Sequence, residues 1–134
     1  MKLIPTPRLI AFAMLAAVGI CSAVSIDAVY FGQSHVWKPD HPYFGLVGER
    51  DCLIKAHVTD PASPASQVVT AVLSLGGQTL NLPLTGPATL PASIPDGLGV
   101  VQHSLSNTFT ATIPSAWVKT GLQVTVNAGP ATVS

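Results

Sequence analysis

From position 52 onward, apolar and polar residues alternate in short runs with a period of two. Cys52, Ile54, Ala56 and Val58 fall on one face of an extended segment and Lys55 and His57 on the other, the pattern of a strand with one buried and one solvated side. The alternation returns at 108–113, with Phe109, Ala111 and Ile113 inward and Thr108, Thr110 and Thr112 outward, and again where Leu122, Val124 and Val126 alternate with Gln123, Thr125 and Asn127. Residues 68–75 and 78–84 flank Gly76-Gly77, a two-residue connection able to take the positive φ angles of a primed hairpin turn. That turn predicts Leu75 opposite Gln78, Leu73 opposite Leu80, Ala71 opposite Leu82 and Val69 opposite Leu84. A slip of one residue would bury Thr79, Asn81 and Pro83 instead, so turn and pattern specify the same register.

Proline and glycine divide these runs. A mixed strand at 27–37, with Val29, Phe31 and Val36 apolar, gives way to a loop at Pro39 and Pro42, since proline cannot donate to a ladder. Residues 60–66 form a proline-rich turn, and 85–95 carry a proline every four residues, which excludes a helix and suits a long connection between sheets. Asp96-Gly97 and Gly99 continue that turn, 100–105 holds a short strand, and Pro114 starts a tight turn over 114–118. The tail is small-residued and expected to fray. Roughly six or seven short strands, no helical period, and a mature length close to the ~100 residues of an immunoglobulin domain predict an all-β fold, an immunoglobulin-like two-sheet β-sandwich over 26–128. Residues 129–134 are read as a frayed tail or the start of a linker. With no Cys…Trp…Cys arrangement, the architecture is not that of a true antibody domain.

The first residues have a different logic. Lys2 and Arg8 precede an apolar run from Leu9 to Ile20 and then small residues, the order of a secretory signal peptide. Cys21-Ser-Ala23 and Ala23-Val-Ser25 are candidate cleavage sites, so the signal is placed at 1–25 and the mature chain begins near Val24 or Ile26. The run falls short of the ~20 residues that span a bilayer, and Ile20 is too large for the residue before a lipoprotein cysteine. The expected location is therefore secreted, periplasmic or cell-surface, with membrane contact only through the signal segment. Cleavage removes Cys21 and leaves Cys52 unpaired, as a small buried hydrophobe.

Six basic and six acidic residues cancel, which argues against a nucleic-acid partner, because such binding neutralises phosphates with an excess of cations. Charged residues make up only 9% of the chain, far below the ~25% of ordinary soluble domains, and this sharpens the extracytoplasmic reading. Polar and aromatic residues crowd into 31–51. A zinc protease needs two histidines a helical turn apart with a glutamate between them, and no His-Glu pair occurs. His35 and His41 lie in a proline-broken loop, while His57 and His103 sit on other segments and are expected to be exposed. Gly32-Gln-Ser34 is half a nucleophile elbow without its closing glycine. Gly97 and Gly99 have no helix behind them to bind phosphate. Asp40, Glu49, Asp51 and Asp60 read as solvated loop charges, or as a 49–51 cluster pinning the loop. No catalytic, cofactor or metal residue is assigned. The candidate contact surface is Trp37, Asp40, His41, Tyr43 and Phe44, an aromatic loop suited to stacking on carbohydrate, while Trp117 is expected to plug one end of the sandwich.

Three segments, Phe31-Gly-Gln-Ser-His-Val36, Leu46-Val-Gly-Glu-Arg-Asp51 and Phe109-Thr-Ala-Thr-Ile-Pro-Ser-Ala-Trp-Val-Lys-Thr-Gly-Leu-Gln-Val-Thr-Val126, together resemble the amino-terminal part of secreted StcE/TagA-like zinc metalloproteases. In that family a β-sandwich region precedes a catalytic domain with an extended His-Glu-x-x-His motif that cleaves glycoproteins, including mucins. No catalytic or zinc-binding residue carries over. The resemblance implies a non-catalytic accessory or recognition module of a truncated or fragmentary protease, with an absent catalytic domain or a glycoprotein substrate as partner and no cofactor in this chain. The alternative is a freestanding surface or glycan-binding adhesion module.

Overall fold

A computed structural model of the chain describes residues 23–97, 100–101 and 105–134. Residues 1–22 of the predicted signal segment, Cys21 among them, and also Gly99 and His103 lie outside the described residues. The strands are β1 (Ser25–Gly32), β2 (Val36–Trp37), β3 (Cys52–Thr59), β4 (Val69–Leu75), β5 (Gln78–Leu84), β6 (Asp96–Gly97), β7 (Val100–Val101), β8 (Phe109–Ile113), β9 (Gln123–Ala128) and β10 (Ala131–Val133), with a 3₁₀ turn at Ser115–Trp117. One antiparallel sheet has the order β2-β1-β3-β8 and the other β10-β9-β4-β5; β6 and β7 form a small ribbon. In immunoglobulin lettering, β1, β3 and β8 take places A, B and E, opposite β5, β4, β9 and β10 at C′, C, F and G. The chain is therefore a two-sheet β-sandwich of immunoglobulin type.

The alternating residues meet between the sheets. Ile54, Ala56, Val58, Phe109 and Ile113 from one sheet and Val69, Ala71, Leu73 and Val126 from the other form one buried cluster. The hairpin has the predicted register, Leu75 opposite Gln78 through to Val69 opposite Leu84, and Gly76 and Gly77 have φ of 56° and 81°, as a type I′ connection needs. The 3₁₀ turn follows Pro114 as expected, and Trp117 packs half-buried against the core.

At one side the sandwich is closed. The end of β5 reaches over to β8, where Thr85 and Thr110 exchange backbone hydrogen bonds of 2.9 and 2.8 Å. At the other side the edges are β10 and the two-residue β2, which pairs β1 only at Phe31 and Gly32, and there the space between the sheets stays open.

Several positions depart from the period-two expectation. Lys55 and His57 are 3% and 0% exposed, and Thr108 and Asp60 are equally buried. The reading assumed water outside β3, but Tyr30 lies there, its ring centroid 5.0 Å from that of His57 and 5.6 Å from the Lys55 ammonium. An aromatic face accommodates both side chains, the lysine by cation–π attraction. Asp60 is no solvated charge: its carboxylate accepts the Ala62 N–H at 2.9 Å, closing an Asx turn. The tail does not fray. Gly129, with φ of 56°, turns the chain so that Ala131 pairs with Ala128 and Val133 with Val126; three residues are too few to show an alternation. Of the expected strand at 100–105, Val100–Val101 pairs with β6, and residues 102–104 lie outside the described residues. The first strand begins at Ser25, whose hydroxyl donates to the Asp27 carboxylate at 2.6 Å.

Cys52 is wholly buried and free, as a small core residue. Burial pushes its thiol above the ordinary range, partly offset by a backbone hydrogen bond at Gly32. The neutral thiol is thus favoured by the fold, so its contribution is complete below the unfolded thiol's pKa of about 8.5 and is lost as pH rises past it toward the folded value. Iodoacetamide at pH ~8 is expected to leave the Cys52 peptide unmodified in the native protein and to label it fully in urea. Equal labelling rates by mass spectrometry in both conditions would contradict this burial.

Candidate functional site

The loop between β2 and β3 is held by one side chain that sequence reasoning passed over. Gln33 accepts the Val47 N–H at 2.7 Å and donates to the carbonyls of Val47 and Arg50 at 2.9 and 3.0 Å. All three bonds go to one loop, so the amide acts as a latch across residues 33–50. Two further bonds tie that loop to the 3₁₀ turn: Asp51 accepts the Ser115 N–H at 2.7 Å, and the Glu49 N–H donates to Val118 O at 2.9 Å. Glu49 takes a positive φ of 59° to make that approach. The Glu49-Arg50-Asp51 triplet does pin the loop, and Asp51 does so through backbone rather than through a charge partner.

Held in this way, the loop presents two surfaces. Outward lies a ledge of rings. Trp37 stacks on His41 with centroids 4.0 Å apart and planes 24° from parallel, His35 stacks on the far part of the same ladder at 6.1 Å, and Tyr43 tilts against His41 at 5.7 Å. The turn that sets this is visible in its hydrogen bonds: the His41 N–H donates to Lys38 O, the Phe44 N–H donates to His41 O, and the Tyr43 N–H donates to His41 Nδ1. Pro39 and Pro42, which lack an N–H, flank those donors and keep the loop from pairing as a strand. Tyr43 is 83% exposed.

Inward lies a cavity of about 630 Å³ at the open side of the sandwich, between this loop and the facing ends of β1, β9 and β10. Of the five residues expected to form one contact surface, Trp37, His41 and Tyr43 do share the ledge. Phe44 turns the other way and packs on Phe31, centroids 6.1 Å apart, and Asp40 stands at the mouth of the cavity. The split follows from chain direction, since three residues after His41 the turn has reversed. His35 joins the ledge unpredicted; its i, i+2 spacing from Trp37 on an extended segment was the available signal. Gln33 and the Ser115 backbone N–H had none, because a side-chain amide in a loop reads as solvated and a backbone donor leaves no mark in the sequence.

The other chemical candidates are not assembled. Ser34 sits exposed in the β1–β2 turn, His57 lies on the outer face of β3, and Asp51 and Asp60 are each committed to backbone N–H groups. Among the described residues no three His, Cys, Asp or Glu side chains come together as a metal-binding set.

Fold and site together define an immunoglobulin-like sandwich with an aromatic ledge and an apolar cavity on two sides of one latched loop. No family model, curated protein or solved structure matches the chain.

Proposed function

We propose that the chain is an exported, non-catalytic recognition module that contacts glycoprotein through the ledge of His35, Trp37, His41 and Tyr43. The observation that carries this reading is the ledge itself, stacked rings ending in a tyrosine that is 83% exposed. A flat ring bordered by polar groups suits the C–H face of a sugar, which is apolar on one side and hydroxylated at its rim. The resemblance to the front of StcE/TagA-like metalloproteases supports the same role, as an accessory domain for a mucin-cleaving enzyme. The three segments that carry the resemblance are also the three joined by Gln33, Glu49 and Asp51 at one end of the sandwich. A freestanding adhesion module would use the same ledge.

The test is binding of the mature domain to immobilised mucin and to deglycosylated mucin. Glycan-dependent binding is expected, weakened about tenfold or more by Trp37→Ala and by Tyr43→Ala with melting temperature unchanged for the latter. Binding indifferent to both substitutions removes the ledge from consideration, and metal-dependent cleavage of the mucin by this chain overturns the non-catalytic assignment. Amino-terminal sequencing of the exported product is expected to begin at Val24 or Ile26; an intact Met1 would refute cleavage.

A further inference from the structure

Tyr43, where the ledge ends, is tied to it through one residue. Among the described residues its ring meets His41 at 5.7 Å and its N–H donates to His41 Nδ1 at 3.2 Å, so both ties run through the same imidazole. The neighbouring bonds of the turn, His41 N–H to Lys38 O at 3.1 Å and Phe44 N–H to His41 O at 2.9 Å, join backbone groups that do not titrate. The same local arrangement occurs in Asp60-Pro61-Ala62, where a carboxylate oxygen accepts the N–H two residues on, across a proline, at 2.9 Å. In His41-Pro42-Tyr43 the acceptor is a ring nitrogen instead. A neutral imidazole accepts at Nδ1 while its proton is on Nε2, whereas an imidazolium donates at both nitrogens.

We infer that this turn is a pH-sensitive catch, in which proton uptake at His41 Nδ1 releases Tyr43 from the ledge. The added proton faces the Tyr43 N–H, donor against donor, so that bond is lost outright. Trp37 keeps the imidazole, because their centroids are 4.0 Å apart and a cation over an indole face is attracted by the ring quadrupole. His41 therefore stays and Tyr43 leaves. Imidazole changes charge between about pH 5 and about pH 8, so the catch opens on acidification. The titratable and charged groups around it are Lys38 and Asp40 on the same turn, Tyr43 itself, and His35, which stacks on the same Trp37 at 6.1 Å. From β1 comes Tyr30, whose ring carries the Lys38 ammonium at 5.4 Å. Of these only His35 is a second imidazole, and it serves as the control. The effect on binding rests on the ledge being the glycan site, as proposed above, while the geometry of the catch does not.

The test is NMR relaxation of the ¹⁵N-labelled mature domain at about pH 7.5 and about pH 5, run beside binding to immobilised mucin. On acidification the order parameter of the Tyr43 amide is expected to fall from about 0.85 to below about 0.6 while amides of β4 hold theirs, and mucin affinity should fall about tenfold. His41→Asn places a side-chain oxygen where Nδ1 was, as an Asx turn does, and takes up no proton. In that variant Tyr43 should stay ordered at both pH values and affinity should vary by less than about twofold. His41→Phe keeps a ring on Trp37 but removes the acceptor, so Tyr43 should be loose at both, and His35→Asn should respond to pH as wild type does. A Tyr43 amide that stays ordered in acid, or that loosens equally in His41→Asn, overturns the catch whatever the mucin does. Mucin held equally tightly at both pH values while Tyr43 loosens overturns its effect on binding. Loosening of Tyr43 that requires His41, with mucin bound at neither pH, supports the catch and refutes the ledge as the glycan site.

Discussion

Leu90→Ala is expected to destabilise the domain by about 2–5 kcal/mol, as much as the same change at Leu73 in the centre of β4. Leu90 lies in no strand, yet it is 1% exposed and belongs to the core cluster. The two proline-rich connections explain how a loop residue is held there. Ser66 N–H donates to Ala88 O at 2.9 Å, Leu90 N–H to Pro64 O at 2.9 Å, and Asp60 N–H to Pro91 O at 3.1 Å. Proline has no N–H but keeps its carbonyl, so each pairing is oriented with proline or alanine accepting and a non-proline residue donating. The connections at 60–66 and 85–95 are thereby fastened to one another, and Leu90 projects from between them into the space between the sheets. Domains of this size have about 5–15 kcal/mol of stability in total, and each kcal/mol shifts the melting temperature by roughly 4–8 °C. A fall of roughly 10–30 °C is the expected result. Val68→Ala, at a side chain 77% exposed, should change stability by no more than about 0.5 kcal/mol. Urea unfolding measures both. A cost below ~1 kcal/mol for Leu90→Ala would mean that the connection rests on the sandwich without being part of its core.

Leu90 also marks where sequence reasoning succeeds and stops. The 85–95 stretch was legible as a non-helical bridge between sheets because proline spacing dictates that much. Which of its residues turns inward depends on partners at 60–66, more than twenty positions away, and no local pattern carries that information. The hairpin at Gly76-Gly77 was legible to the level of individual pairs, since turn geometry and alternation restrict the same variable. Lys55 and His57 show the converse. Period two assigned them correctly to the face opposite Ile54, but could not tell that this face is covered, because alternation along one strand says nothing about what packs against either side. At the site, composition located the loop and its aromatic character. The direction of each ring was set by hydrogen bonds around His41, which put Trp37 and Tyr43 outside and Phe44 inside.

Gln33→Leu tests the latch on which both surfaces rest. Leucine keeps the volume of the side chain and removes three hydrogen bonds to Val47 and Arg50. A neutral bond contributes about 0.5–1.5 kcal/mol net; the loop is exposed, so water replaces part of the loss, and a total near 2 kcal/mol is expected, read by urea unfolding. The more specific readout is local: the Val47 and Glu49 amides, which donate to Gln33 Oε1 and to Val118 O, should exchange with solvent at least about tenfold faster, while amides of β4 change little. Gln33→Glu separates donation from acceptance. Its carboxylate retains an oxygen for the Val47 N–H but turns a second oxygen toward two carbonyls, so the ionised form is disfavoured in the fold and its pKa is raised above the ordinary ~4.3. The stability that a protonated carboxyl recovers is fully present below that ordinary value and is lost as pH rises through the raised one. Near neutrality Gln33→Glu should therefore be at least as unstable as Gln33→Leu, and in acid more stable relative to it. If the two variants keep a constant difference across that range, the amide's donated bonds are not what fastens the loop, and the ledge and the cavity must be held apart by Asp51 and Glu49 alone.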